Sequence, residues 1–194
     1  MSGKNFSANN SSGKRKKSDF YETPYSITKK FLDKEYFDKN NSVCEPACGK
    51  GAITTILKQY WNTTLITAYD REINFLDDTK KYDYIITNPP FSLAFEFINQ
   101  AKKLATKKFA FFLPLSYLHG QQRYNEVYHN NNYKLKKLYV FTRYPMLGET
   151  LRTDGKYNTG MMVYAWYVFE NGYIDLPTID WIDNNNDILR KTYK

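Results

Sequence analysis

One segment of the sequence, residues 42–60, constrains the fold more than any other. A short apolar strand ends there at Glu45-Pro46-Ala47-Cys48-Gly49-Lys50-Gly51, and a helix follows over about 52–60. Gly49 and Gly51 permit backbone conformations and close approaches that a Cβ would block. The N–H groups of such a turn and of the helix N-terminus form a seat for a carboxylate. Strand, glycine turn and helix in this order indicate an α/β fold.

A second predicted strand, residues 64–69, ends in Asp70. An acid at the tip of the second strand is where nucleotide-binding α/β folds hydrogen-bond the hydroxyls of a ribose. A solvated turn residue is the alternative interpretation of Asp70.

Hydrophobic periodicity extends this pattern along the chain. It predicts helices over 26–38, 52–60 and 93–105, and strands near 42–45, 64–69, 83–87, 108–113, 137–142 and 161–169. Strands that alternate with helices predict a mostly parallel sheet covered on both faces. A ligand site then belongs at the carboxyl ends of the strands, where Gly49, Asp70 and Asn88 all fall.

The third strand ends in Asn88-Pro89-Pro90-Phe91, which suits methylation of an exocyclic amino group. The amino nitrogen of adenine is a poor nucleophile because its lone pair is delocalised. The Asn88 side-chain oxygen and the Pro89 carbonyl can each accept one N–H and so localise that lone pair. Two prolines stiffen the turn, and Phe91 offers a flat face for a base pulled from its stack. A plain turn with a core Phe is the alternative.

These residues together resemble the S-adenosylmethionine-dependent N6-adenine DNA methyltransferases, most of all the small stand-alone type of phages and mobile elements. The resemblance covers roughly residues 19–170. Its motifs are Glu45-Pro46-x-x-Gly49-x-Gly51, then Asp70, then Asn74-Phe75-Leu76, and Tyr82 to Phe91. It implies a Rossmann-like class I methyltransferase fold of the α/β class, with a mostly parallel, seven-stranded type of sheet.

The resemblance also implies which residues hold the cofactor, S-adenosylmethionine. The cofactor-binding candidates are Tyr21, Thr23, Pro24, Glu45, Pro46, Ala47, Gly49, Gly51, Asp70, Asn74, Phe75 and Asn88. Asn74 stands where the family usually has an Asp that binds the cofactor adenine, and Asp77 or Asp78 could substitute for it. Only three residues separate Asp70 from Asn74, where a standard methyltransferase sheet fits a helix and a strand. We therefore expect a trimmed crossover and a shortened sheet edge.

Charge divides the chain into a tail and a domain. The formal net charge is +8, and residues 1–18 contribute +5 of it because they contain no acidic residue. We expect a disordered basic tail over 1–18 and a single domain over 19–194, without a separate target-recognition domain. Candidate nucleic-acid contacts are Lys14, Arg15, Lys16, Lys17, Ser92, Tyr117, Arg123, Arg143, Arg152 and Lys156.

Several classes of protein are disfavoured. No apolar run approaches a membrane span, and the N-terminus lacks a signal peptide. The two cysteines, Cys44 and Cys48, lie in the first motif, and with His119 and His129 they lack the spacing of metal ligands. We therefore expect no metal, no membrane and a reducing compartment: the cytoplasm and nucleoid, or the nucleus for a eukaryotic or viral source.

The functional hypothesis is methyl transfer to adenine N6 in DNA by direct in-line attack on a flipped base. RNA adenine or guanine amino groups, cytosine N4 and protein glutamine are alternative acceptors, although the glutamine enzymes usually carry Tyr after the prolines. A non-catalytic nucleic-acid-binding subunit is the alternative of another class. A partner subunit that supplies sequence recognition is also an expectation.

Overall fold

The computed structural model describes residues 23–70, 73–129, 132–142 and 162–184. These form a seven-stranded sheet with helices packed against both faces. The helices are α1 (Tyr25–Lys34), α2 (Ala52–Tyr60), α3 (Ala94–Leu104) and a short α4 (Gln121–Arg123) that continues as a π-helix over Tyr124–His129. The strands are β1 (Val43–Glu45), β2 (Ile66–Ala68), β3 (Tyr82–Thr87), β4 (Ala105–Pro114), β5 (Tyr133–Phe141), β6 (Tyr164–Asn171) and β7 (Thr178–Ile182).

The strand order is β2-β1-β3-β4-β6-β5-β7. Strands β1 to β4 pair in parallel with one another, and β5 pairs in parallel with β7. Only β6 runs against its neighbours, β4 and β5. The predicted α/β class and mostly parallel sheet are therefore confirmed.

Alternation along β4 shows how the sheet separates two cores. Phe109 and Phe111 face the core beneath α3, whereas Ala110 and Phe112 face the core beneath α1 and α2. This is the two-residue period of a strand buried on both faces. Each helix supplies a matching apolar stripe, such as Ile53, Ile56 and Leu57 of α2.

Helix α1 ends at Lys34, four residues before the predicted end. The next residue, Glu35, has extended backbone angles, with φ −91° and ψ 129°. Its buried carboxylate accepts from Lys108 Nζ at 2.6 Å and from Tyr139 Oη at 2.8 Å. The turn out of the helix therefore places Glu35 against the strands β4 and β5.

The crossover between β2 and β3 is short, as expected from the spacing of Asp70 and Asn74. In its described part, residues 73–81, the one regular element is a 3-10 helix over Phe75–Asp77. Tyr69 and Tyr82 donate to the Asp78 carboxylate at 2.6 and 2.9 Å, which ties this crossover to the sheet. Strand β2 therefore forms an edge of only three residues.

Two strands begin earlier than predicted, and one strand was missed. Strand β4 begins at Ala105 instead of near 108, so Lys107 lies within it, and Lys108 is buried. Strand β5 begins at Tyr133 instead of near 137, so Lys134 and Lys136 lie within it. Strand β7 was not predicted.

Two kinds of feature are lacking in the part of the chain that the structure describes. No helix in the described ranges has both the length and the apolar character needed to cross a membrane. Among the same residues, no three His, Cys, Asp or Glu side chains cluster in a way that would hold a metal ion.

Candidate functional site

The turns that follow β1, β2 and β3 lie side by side at the carboxyl edge of the sheet. Cys44 of β1 pairs with Thr67 of β2 on one side and with Ile85 of β3 on the other. Because the three strands are parallel, the Gly49–Gly51 turn, Asp70 and Asn88 follow from neighbouring strand ends. The structure thus brings the three main sequence motifs to one place.

The glycine turn is fixed by backbone conformation and by backbone hydrogen bonds. Gly49 and Gly51 have φ of 52° and 82°, the left-handed region that favours glycine. Cys48 N donates to Tyr69 O at 3.0 Å, and Gly51 N donates to Cys48 O at 2.7 Å. Gly51 is the N-cap of α2 and has no side chain to accept from the first N–H groups of the helix. Those donors are available to a carboxylate.

Glu45 lies beneath this turn and is only 1% exposed. The Thr54 hydroxyl of α2 donates to Glu45 Oε2. Burial raises the pKa of the Glu45 carboxyl to about 7, and the nearby Asp70 charge adds to the shift. Glu45 therefore joins β1 to α2 from within. Thr54 was missed because this partnership spans nine residues and carries no local pattern.

The Asn88 corner is joined to the segment before α1. Asn88 Nδ2 donates to Thr23 Oγ1 at 3.0 Å, and Thr23 is itself buried. Pro24, predicted beside Thr23 in the cofactor site, is the N-cap of α1. Asn88 Oδ1 is buried, so a base reaches this oxygen only after the carboxamide turns or its cover moves. Tyr21 lies outside the described residues.

Phe91 opens a short 3-10 helix (Phe91–Leu93) beside an aromatic row. Its ring centroid is 5.9 Å from that of Tyr164, which stacks on Phe112 at 5.3 Å and 15°. Ser92 is exposed next to it, whereas Pro89 is buried. No local sequence signal points to Tyr164, because it reaches Phe91 from the start of β6.

Two residues were predicted around the cofactor adenine, and the structure exposes Asn74 but buries Phe75. Asn74 is exposed and uses its side chain locally, accepting from Leu76 N at 3.2 Å and donating to Asp77 at 2.7 Å. Phe75 is 1% exposed and packs on Phe97 with centroids 4.9 Å apart. Their cofactor contacts stay predictions.

Two predicted nucleic-acid residues contact each other. The Arg123 guanidinium lies 4.7 Å from the Tyr117 ring centroid and donates through Nε to His119 O at 2.8 Å. Tyr117, a candidate nucleic-acid contact, is buried, and burial raises its pKa to about 12. Lys14, Arg15, Lys16, Lys17, Arg143, Arg152 and Lys156 lie outside the described residues.

Arg143, Arg152 and Lys156 lie between β5 and β6 in the sequence. Strand β5 ends at Phe141, and β6 begins at Tyr164. Both points lie at the carboxyl edge, because β6 is antiparallel to β4 and β5 and Tyr164 pairs with Pro114. The described residues on either side of Arg143, Arg152 and Lys156 therefore lie at the same edge of the sheet as the candidate site.

Comparison with known proteins identifies the fold. No protein-family model matches the sequence, and no curated protein matches it either. Among solved structures, the M protein of the type I restriction enzyme EcoKI superposes with a TM-score of 0.60 at 10% identity, over 87% of this chain and 49% of that one. A type I restriction-modification methyltransferase subunit from Streptococcus thermophilus gives 0.52 at 11% identity, over 84% and 47%.

A predicted O-methyltransferase from Agrobacterium tumefaciens gives a TM-score of 0.51 at 9% identity, over 83% of this chain and 86% of that one. The chain spans about half the length of the two type I subunits. The fold is thus the Rossmann-like class I methyltransferase fold.

Proposed function

We propose that the protein transfers a methyl group from S-adenosylmethionine to the N6 amino group of adenine in DNA. One observation carries the proposal: the Asn88-Pro89-Pro90-Phe91 corner follows β3 directly beside the glycine turn of β1, on a methyltransferase fold. The corner supplies acceptors for an amino group, and the turn supplies donors for a carboxylate. Two similar structures that are type I restriction-modification subunits support DNA as the substrate.

The residues at the carboxyl edge of the sheet fit S-adenosylmethionine as the methyl donor. S-adenosylmethionine supplies an electrophilic methyl group when bound. Its carboxylate matches the N-terminus of α2, which has no side-chain cap, and nothing lies within 4 Å of a Cβ built on Gly51. Asp70 follows β2 at the same edge and is the acceptor for ribose hydroxyls. Thr23 and Pro24 complete the cofactor site from the side of α1.

The acceptor side uses the stiff corner. The Asn88 side-chain oxygen and the Pro89 carbonyl accept the two amino hydrogens, so that the nitrogen lone pair points at the methyl group. Phe91 stacks on the extruded base. Attack by the amino nitrogen would form the N–CH3 bond as the donor's S–CH3 bond breaks, with S-adenosylhomocysteine as the leaving group and one amino proton released. No covalent bond forms between the protein and the base.

DNA contacts are assigned to the residues around this edge. Ser92 directly follows the corner in the sequence, and the other assigned contacts are Arg123, Arg143, Arg152, Lys156 and Lys14 to Lys17. The proposal includes a partner subunit that reads the target sequence, because the type I neighbours are themselves subunits.

Methyl transfer is tested with labelled S-adenosylmethionine, DNA and RNA of the same sequence, and mass spectrometry of the product nucleosides. We expect N6-methyl-2'-deoxyadenosine from the DNA and no N6-methyladenosine from the RNA. Asn88→Ala should raise the barrier by about 2–4 kcal/mol, as when one preorganised polar contact is removed. Asn40→Ala, an exposed site between α1 and β1, is the matched control and should leave turnover unchanged.

Other outcomes separate the alternatives. Label in RNA alone, or in cytosine, would replace the assigned acceptor. Calorimetry with S-adenosylmethionine tests the donor: no binding, with and without DNA, identifies a non-catalytic subunit. Full turnover in Asn88→Ala would remove Asn88 from the mechanism.

A further inference from the structure

A second concave site lies at the opposite, amino edge of the sheet. It is a cavity of about 360 Å³ lined by side chains that include Lys81, Lys102, Lys103, Asn132, Tyr133 and Asn171. These residues come from the start of β3, the end of α3 and the neighbouring ends of β5 and β6. Strand β3 separates this edge from the Asn88 corner by about 20 Å, at about 3.3 Å per residue over its six residues.

The cavity concentrates positive charge without a matching acid. Three lysines line it, and no carboxylate does. No ion pair of these three lysines is found within the described residues, although the charge of Glu126 acts on Lys102. Lys81 Nζ binds Lys103 O, and Lys102 Nζ binds Glu126 O at 2.8 Å. Because an ammonium has three donors, each of these lysines keeps donors for a ligand.

The neighbouring groove shows how the same fold treats lysines that have acidic partners. There Lys108 pairs with Glu35 at 2.6 Å and with Glu170 at 3.1 Å, and Lys136 pairs with Glu170 at 2.7 Å. The carbonyls at the end of α3 offset part of the charge in the lysine-lined cavity, but they are dipoles and not anions. Burial lowers the pKa of Lys102 to about 8, while the charge of Glu126 acts in the opposite direction.

We propose that this lysine-lined cavity binds a phosphate group. Phosphate offers several acceptor oxygens and a negative charge to converging ammonium groups, for which lysine is a common partner. The exposed Asn132 stands at the rim as a further donor. The ligand is either a free phosphate compound or a backbone phosphate of nucleic acid, and the proposal does not depend on methyl transfer.

The test uses the full chain labelled with ¹⁵N and titrated with inorganic phosphate. We expect amide shifts at residues 81, 102–105, 132 and 171. The triple variant Lys81→Gln/Lys102→Gln/Lys103→Gln should bind about tenfold or more weakly, because it loses charge-assisted hydrogen bonds. The variant Lys29→Gln/Lys30→Gln/Lys58→Gln removes the same charge from α1 and α2 and should bind phosphate like the parent.

A second arm measures affinity for duplex DNA against salt concentration. If the ligand is a backbone phosphate, the slope of log affinity against log salt falls by about 0.9 for each phosphate that the cavity variant no longer neutralises. The control variant should keep the slope of the parent. An effect in either arm that is specific to the cavity variant supports the site. Equal behaviour of both variants in both arms overturns it.

Discussion

Two parts of the sheet differ in what holds them together. The motif half (β1, β2, β3 and α2) contains two strands of only three residues, and its polar turns are held by backbone hydrogen bonds. The aromatic half (β4 to β7 with α1) has strands of five to ten residues. It buries stacked pairs such as Phe31 on Trp166 at 4.5 Å and Phe109 on Phe169 at 4.7 Å.

The candidate chemistry and most of the packing are thus carried by different residues. Stacked aromatic pairs and long ladders stabilise the aromatic half whatever ligand is bound. The motif half instead presents donors and acceptors at strand ends. Substitutions in the aromatic half should therefore change stability, and substitutions in the motif half should also change ligand binding or turnover.

The largest expected effect is at the buried charges of the aromatic half. Lys108→Met leaves the buried Glu35 carboxylate without its cation and should lower the free energy of unfolding by about 3–5 kcal/mol. Denaturant unfolding measures the loss. Lys107→Met, an exposed neighbour in β4, is the control and should change stability by less than about 0.5 kcal/mol. Equal losses in both variants would contradict a specific role of the ion pair.

The next effect concerns Glu45 in the motif half and depends on pH. Its folded pKa of about 7 lies above the ordinary 4.5, so the folded state holds the proton more tightly than the unfolded state. The contribution of Glu45 to stability is therefore present below pH 4.5 and is lost as the pH rises through 7. As the pH rises from 4.5 to about 7, the unfolding free energy of Glu45→Gln should increase by on the order of 3 kcal/mol relative to that of the parent. The unfolding free energies of Glu45→Gln and the parent are compared from about pH 4 to about pH 8. A constant difference between them would show that the folded state does not hold the Glu45 proton more tightly.

A smaller effect is expected where α1 meets the motif half. Thr23→Val keeps the shape of the side chain but removes the acceptor for Asn88 Nδ2, so the carboxamide loses its orientation. We expect the activation barrier to rise by about 1–2 kcal/mol, so that turnover falls. Thr23→Ser should keep most of the parent's turnover. Steady-state kinetics separate this role from cofactor binding: a higher KM for the donor with unchanged kcat would assign Thr23 to binding alone.

The smallest effect compares one glycine from each half. Gly51 and Gly172 have φ of 82° and 73°, and nothing lies within 4 Å of a Cβ built on either. Gly51→Ala and Gly172→Ala should each cost about 1 kcal/mol of stability through backbone strain alone. Only Gly51→Ala should also weaken S-adenosylmethionine binding in calorimetry. If both variants bind S-adenosylmethionine more weakly, ligand binding is not confined to the motif half.

Local patterns predicted the motif half well. The glycine turn, helix α2 and the end of β3 follow from residues adjacent in sequence, and the predicted helix 52–60 matches α2. The sequence did not reveal that Thr54 supports Glu45 or that Tyr164 lies beside Phe91, because these contacts depend on the tertiary fold.

The aromatic half shows where pattern reasoning is misleading. Strand β7 alternates in the usual way, yet Ile179 and Trp181 face outward and are 54% and 59% exposed. Asp180 points instead toward Lys34 and Lys137, at 3.3 and 3.5 Å. Ion pairs with α1 and β5 accompany this orientation, together with burial of Ile182, which is 2% exposed. Hydrophobicity alone could not predict that Ile179 and Trp181 face outward.

The end of β5 and the start of β6 lie side by side at one edge of the sheet, which has an evolutionary consequence. Both points are fixed by neighbouring strands, since Val140 pairs with Ala165. The number of residues between Phe141 and Tyr164 can therefore change while β5 and β6 keep their register.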